Sequence, residues 1–237
     1  MPKAKKAAAP SSKKSPSSSS PTAHPSGKNA KAGKSATPPR LPKKKHLPGT
    51  SPELAETAQV LSSEVVYQGP IFRVTKDKIV EPNGKEGVKD VIRHNGSAVI
   101  LAVDSSKSKK DPWIVLERQY RHAARQFLWE LPAGTLDPNE DPLVGAQREL
   151  EEETGYRAKK WKPLVRYFAS PGFLGEAMNV FLAEGLVAGD ARPEDDEDIE
   201  FRLVKLSEIM KMIRKGAILD GKTLTCVLLY RELLRKK

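Results

Sequence analysis

The 237-residue chain has one cysteine, 6% aromatic residues and, across its first 52 positions, no acidic residue at all. Each scarcity excludes something. A single cysteine, Cys226, rules out an intrachain disulfide and a cysteine-based zinc site; set in an apolar helical stretch, it reads as a small core residue. The longest near-continuous apolar run, residues 98–103, is far short of the roughly 20 residues that span a bilayer. No apolar segment follows the N-terminal lysines, as a secretory leader requires. The expectation is a soluble, unexported, cytoplasmic protein with no membrane partner.

The missing acids divide the chain. Residues 1–52 hold eleven lysines and Arg40, a charge of +12, so the whole excess behind the chain's formal +11 resides there. That stretch also contains ten of the 19 prolines and no Phe, Trp or Tyr, too little apolar surface to offset the entropy of folding. Residues 1–54 are read as a disordered basic tail. The rest of the chain is near neutral, with 29 basic and 30 acidic groups over residues 53–237, and is long enough to bury a core. A basic DNA-binding globule is thereby excluded. The tail itself would touch nucleic acid without sequence preference at low salt, but no aromatics interleave its lysines for base stacking. Its excess of Lys over Arg argues against an organellar transit peptide, and a solvated extension is the simplest reading.

After the tail, β-branched and aromatic residues at 64–68, 71–80 and 88–94, with a turn at Pro82-Asn83-Gly84-Lys85, predict a small antiparallel unit over residues 55–95. Residues 96–237 read as the main domain. Short apolar runs predict strands at 97–103, 113–120, 127–131, 164–169, 178–183 and 201–206. Asp141 and Pro142 open a helix that Gly155 closes, two more helices follow at 207–215 and 222–234, and residues 190–200 form an acidic loop.

The first of these helices carries the chemistry. At 100° per residue Glu149, Glu152 and Glu153 share one face, whereas Glu151 points away. Like charges this close disfavour the helix unless a cation sits among them, and they lie at its C-terminal end, where the macrodipole also disfavours them. Oxygen-only donors without His or Cys suit a hard ion, Mg²⁺ or Mn²⁺, the usual partner of a phosphate or pyrophosphate substrate. The Ala133 carbonyl, just before Gly134, is a further donor.

The spacing from Gly134 through Glu140 to Arg148-Glu149-Leu150-Glu151-Glu152-Glu153-Thr154-Gly155-Tyr156 resembles the Nudix box, G-x5-E-x7-R-E-U-x-E-E-x-G-U with U apolar; Tyr156 in the last apolar slot is the one departure. The resemblance implies an α/β (α+β) Nudix αβα sandwich with a mixed sheet, and metal-dependent hydrolysis of a nucleoside diphosphate linked to another moiety. It casts Glu149 and Glu153 as metal ligands, Glu152 as a further or water-mediated one and the Ala133 carbonyl as another. Gly134 then permits close approach of loop and helix, Gly155 closes the helix, and Arg148 with Glu140 forms an ion-paired support.

Outside the box, Ser170-Pro171-Gly172-Phe173-Leu174-Gly175-Glu176 is similar to the loop of the ADP-ribose and nucleoside-diphosphate-sugar pyrophosphatases, with Pro171 fifteen residues after the box. Residues 91–94, 117–121 and 129–134 resemble the same subgroup. Hydrolysis needs a water deprotonated beside the metals, so Glu176 is the candidate base, on a loop that Gly172 and Gly175 would let move. Arg121 is the first candidate for clamping a diphosphate, with Arg93 and Arg125 behind it. Phe173, Trp129 or Tyr67 could stack on a base. His94 and His122 lack the spacing of a metal site. Relatives swap the N-terminal unit across a homodimer, and a homodimer is expected here.

The best substrate reading is ADP-ribose, cleaved to AMP and ribose 5-phosphate. GDP-mannose or another sugar nucleotide is the alternative within the family. A nucleotide-binding regulatory module and an RNA-directed enzyme are the alternatives of different class; intact Glu149, Glu152 and Glu153 argue against the first.

Overall fold

The computed structural model describes residues 57–191 and 199–236. The basic tail and most of the acidic loop lie outside the described residues. Ten strands and three α-helices follow one another through the rest.

The central sheet grows from a strand that is buried on both sides. In β4 (Ser97–Asp104), Val99, Leu101 and Val103 belong to one apolar cluster, while Ala98, Ile100 and Ala102 belong to another. Side chains alternate across a strand, so a strand apolar at every position needs cover on both faces. Helix α1 (Pro142–Thr154) supplies Ala146 and Leu150 to the second cluster. Helices α2 (Leu206–Arg214) and α3 (Gly221–Arg235) supply Ile209, Met210, Cys226, Val227 and Tyr230 to the first. The result is helix, sheet, helix, the sandwich that the Nudix resemblance implies. Cys226 is buried as expected, and burial pushes its thiol up to about 12.

The sheet is mixed. Its order is β10 (Glu200–Lys205), β5 (Trp113–Arg121), β4, β9 (Ala177–Val187) and β8 (Arg157–Phe168), with β6 (Gln126–Glu130) on β5 and β7 (Ala133–Thr135) on β4. β4 and β9 run parallel and the other pairs are antiparallel. Two features depart from expectation. β7 has three residues, too few to give a sequence signal, yet it sets Ala133 and Gly134 opposite Val99 and Ala98. β8 starts at Arg157 rather than 164, because its place at the end of the sheet tolerates Lys159, Lys160, Lys162 and Pro163.

Before this body, β1 (Gln59–Gln68), β2 (Phe72–Val80) and β3 (Glu86–His94) form a separate antiparallel sheet. Every residue of β1 is exposed, including Val60, Leu61, Val65, Val66 and Tyr67. Among the described residues no helix is long and apolar enough to cross a membrane.

Candidate active site

Local signals fix α1 at both ends. The Asp141 carboxylate accepts from the Leu143 N–H at 2.8 Å, Pro142 occupies the first turn, and Gly155 ends the helix at φ 69°. Thus anchored, the helix turns Glu149 and Glu153 inward, buries both, and leaves Glu151 to pair with Arg157 outside. Glu152 is half-exposed at the rim.

The cation that this face requires is present. Arg148 bridges Glu140, Glu149 and Glu152 at 3.2, 2.8 and 3.0 Å. Its hydrogen bonds hold Glu140 below the usual carboxylate range. The Glu140 Oε2 also accepts from the Asp137 N–H, tying the loop after β7 to the helix. A methyl group on Gly134 would overlap the Glu149 carboxylate, so glycine there lets helix and loop meet.

A cleft of about 760 Å³ opens at this junction. It brings together Ala133, Gly134, Arg148, Glu149 and Glu152 with Arg121, Lys222 and Glu176. Its volume suits a nucleotide-sized ligand. Glu176 accepts a 2.6 Å hydrogen bond from Ser97 Oγ. His94 Nδ1 lies 3.9 Å away and accepts from the Gly96 N–H. A larger groove, about 1180 Å³ and bordered by α2 and α3, contains none of the box carboxylates.

The remaining candidates stand elsewhere in one chain. Arg93 is paired with Asp77 inside the N-terminal sheet. Arg125 closes a 3₁₀ turn in a left-handed conformation, φ 54°. Phe173 is an exposed loop residue outside the cleft lining, and neither Trp129 nor Tyr67 lines the cleft. The 170–176 loop is fastened to β3: Ile92 N–H donates to Phe173 O at 2.8 Å, and Gly175 N–H to Ile92 O at 2.9 Å. Pro171 sits in the turn that precedes these bonds.

Sequence reasoning missed the cluster behind the cleft. Glu117 and Glu130 directly follow the apolar runs of β5 and β6, and both are sealed from solvent. Arg121 grips Glu130 bidentately, at 2.9 and 2.8 Å, and Lys222 of α3 pairs with it as well. Burial favours a neutral Glu130, but the two cations outweigh it and lower its pKa. Glu117 lies beside Glu153, and burial pushes its carboxyl up to about 7. A carboxylate inside an apolar strand, as in Val115-Leu116-Glu117, is the signal that could have found it.

The Glu117 shift has a testable sign. An unfolded glutamate titrates near 4.5. Between that pH and about 7 the folded chain keeps a proton that the unfolded chain has lost, so cation-free stability falls as pH rises through this window, by an amount on the order of 3 kcal/mol. Glu117→Gln removes the titration. Urea unfolding in chelator should find the variant more stable than the parent at pH 8 and similar to it at pH 4.5; equal stability at pH 8 would contradict the shift.

Whether the site suits a divalent cation can be judged from its donors. Among the described residues no three carboxylate, imidazole or thiol groups converge on one point, and Arg148 instead occupies the space between the acids. The donor chemistry nevertheless fits a hard ion: two buried glutamates, a rim glutamate and, in the lining of the cleft, Ala133, whose backbone carbonyl is a further oxygen donor.

Comparison with known proteins agrees with this geometry. Residues 93–225 match the NUDIX domain, and residues 59–88 match the nucleoside diphosphate sugar hydrolase N-terminal domain. An ADP-ribose pyrophosphatase of Bacillus subtilis (strain 168) is 34% identical over 168 residues, covering 70% of this chain and 88% of that protein. A methanol dehydrogenase activator of Bacillus methanolicus is 32% identical over 183 residues, 76% of this chain and 96% of that protein. A GDP-mannose pyrophosphatase of Cronobacter sakazakii (strain ATCC BAA-894) is 34% identical over 187 residues, 67% of this chain and 92% of that protein. A crystal structure titled as an ADP compounds hydrolase shares the fold, with a TM-score of 0.65 at 21% identity, covering 76% of this chain and 96% of that one. By its box, its sandwich and these matches, the chain belongs to the Nudix family.

Proposed function

We propose that the chain hydrolyses the pyrophosphate bond of a nucleoside diphosphate sugar, with ADP-ribose cleaved to AMP and ribose 5-phosphate as its preferred reaction. The observation that carries this reading is the meeting of Glu149, Glu152, the Ala133–Gly134 strand and Glu176 in one nucleotide-sized cleft. The Bacillus subtilis relative's name favours ADP-ribose. GDP-mannose is the second reading, favoured by the Cronobacter relative.

In the proposed mechanism Glu149, Glu152, Glu153 and the Ala133 carbonyl would hold Mg²⁺ or Mn²⁺. Bound there, the cation supplies Lewis-acid stabilisation of charge on the diphosphate. Glu176, oriented by Ser97, takes a proton from the attacking water. The water oxygen bonds to phosphorus, the bridging P–O bond breaks, and the leaving phosphate departs with the bond's electron pair. Arg121 contributes charge at the cleft wall, while Arg148 and Glu140 keep helix and loop in register. Arg93, Arg125 and Phe173 reach a substrate only if a second copy completes the site.

A homodimer fits the exposed apolar residues of β1, whose contiguous valines, Leu61 and Tyr67 a second copy would cover. Light scattering on the purified chain should give twice the monomer mass. The substrate preference is tested by measuring kcat/KM for ADP-ribose and GDP-mannose under competition. Preference for GDP-mannose would overturn the ADP-ribose assignment and leave the reaction class intact.

A further inference from the structure

The groove of about 1180 Å³ bordered by α2 and α3 shares no lining residue with the cleft. β9 and α3 reach both. Met178 and Lys222 line the cleft, whereas Leu182, Glu184 and the end of α3 from Tyr230 onward line the groove. From Met178 to Glu184 is six residues of β9, about 20 Å at the rise of a strand. Hydrolysis in the cleft makes no use of this second surface.

Its charge is one-sided. Seven lysines and arginines line the groove against two carboxylates, in a body that is near neutral over residues 53–237. Asp111, one of the two, accepts from the Ser207 N–H at 2.8 Å and from Ser207 Oγ at 2.9 Å, and so is spent on the start of α2. Glu184 is the other. Among the cations, Lys211 is paired with Glu208 at 3.0 Å and Arg235 lies 3.8 Å from Glu232. Lys109, Lys110, Lys162, Arg214 and Arg231 are exposed, and none of them has an ion-pair partner among the described residues. They come from the loop before β5, from β8, from α2 and from α3, so the tertiary fold gathers them. Like charges collected in this way repel one another, and an anionic ligand relieves the repulsion.

Between these cations the groove is apolar. Leu182 and Leu234 are half-buried, and Leu206, Met210 and Tyr230 are nearly sealed. The combination selects a class of ligand. A small inorganic anion makes no use of leucines. Single-stranded nucleic acid needs aromatic faces for its bases, and Tyr230, the one aromatic among the described lining residues, is 6% exposed. The chain's own N-terminal segment carries the same sign as the rim and is repelled by it. An acidic segment with apolar side chains along one side matches both features, leucines below and cations around.

We propose that this groove is a docking site for an acidic, amphipathic segment of a partner protein. The partner's apolar side chains lie on Leu182 and Leu234, and its carboxylates meet Lys162, Arg214, Arg231 and the lysines of the loop before β5. The inference is independent of which nucleotide the cleft cleaves.

The test is fluorescence anisotropy of a short labelled peptide of glutamates and leucines at helical spacing, titrated with the full chain at about 0.15 M salt, where long-range attraction between exposed charges is largely screened. Binding should saturate. The double variant Lys162→Glu, Arg231→Glu should weaken it about tenfold or more, with thermal unfolding and nucleotide hydrolysis as in the parent. Both side chains are exposed, so the variant should fold. The N-terminal segment is present in parent and variant alike, and its attraction for acids cancels in the comparison. Serine in place of the peptide's leucines should weaken binding by a similar factor. Absence of saturation, equal affinity in parent and variant, or equal affinity of the serine peptide overturns the proposal. So does displacement of the peptide by oligouridylate at lower concentration than by unlabelled peptide, which would make the groove a nucleic-acid surface. Each of these results leaves hydrolysis in the cleft standing, and a chain that binds the peptide but cleaves no sugar nucleotide overturns the hydrolytic reading alone.

Discussion

Glu153→Gln should reduce cation-dependent turnover by roughly 10²–10³-fold, the scale on which lost electrostatic stabilisation of a transition state is felt. The substitution preserves shape and removes one charge from the crowded face of α1. Glu153 is 4% exposed and lies beside Glu117, whose own carboxyl is pushed up to about 7 by burial. Deleting one negative charge there relieves repulsion, so the cation-free variant should be at least as stable as the parent. The cation should stabilise the parent against heat and stabilise the variant much less, since ligation acts only on the folded state. Loss of turnover together with loss of this protection identifies a ligand. Wild-type rates in Glu153→Gln would remove it from the site.

Glu176→Gln should lower kcat by about 10²-fold or more, within the range that a positioned general base contributes. Glutamine keeps an oxygen to accept from Ser97 Oγ, so the loop geometry at 2.6 Å can persist while the proton acceptor is lost. Apparent cation affinity should be unchanged, which separates this variant from Glu153→Gln. A loss under tenfold would assign deprotonation of the water to another group. Because the loop is fastened to β3 through Ile92, Phe173 and Gly175, Glu176 is held at the cleft in the unliganded chain. The glycine-hinged loop expected from sequence is, in this structure, already in contact with the body.

How much of this was legible depended on whether the determining interactions are local. Asp141, Pro142 and Gly155 mark the ends of α1, and its period places three glutamates on one face, all within fifteen residues. The continuous apolar run of β4 likewise announces a strand covered twice. Pairing of Arg148 with Glu140 follows from the box and is visible at 3.2 Å.

What escaped is tertiary. β7 exists because Ala133 to Thr135 finds β4, not because three residues favour extension. The polar half of β8 is a strand because it pairs with β9 along the sheet. Lys222 and Glu130 are separated by 92 positions, and neither spacing nor composition announces that they touch. Arg93 shows the converse: a residue that reads as a phosphate ligand in sequence finds Asp77 across a strand pair and is engaged there.

The net charge of +11 also changes meaning in this light. It belongs to the N-terminal segment, while the domain with the cleft concentrates acids on one helix. Removal of residues 1–52 should accordingly leave kinetics on small nucleotides unchanged, and a change in KM above about threefold would implicate the segment in catalysis.

The central claim is that the carboxylate face of α1 and the adjoining cleft perform cation-dependent cleavage of a nucleoside diphosphate sugar. Its most direct test is to incubate the purified full chain with ADP-ribose and Mg²⁺ and identify the products by mass spectrometry. The account predicts AMP and ribose 5-phosphate in equal amounts, with neither formed in chelator. Absence of any nucleoside monophosphate from ADP-ribose, GDP-mannose and other sugar nucleotides, with Mg²⁺ or Mn²⁺ present, would contradict it.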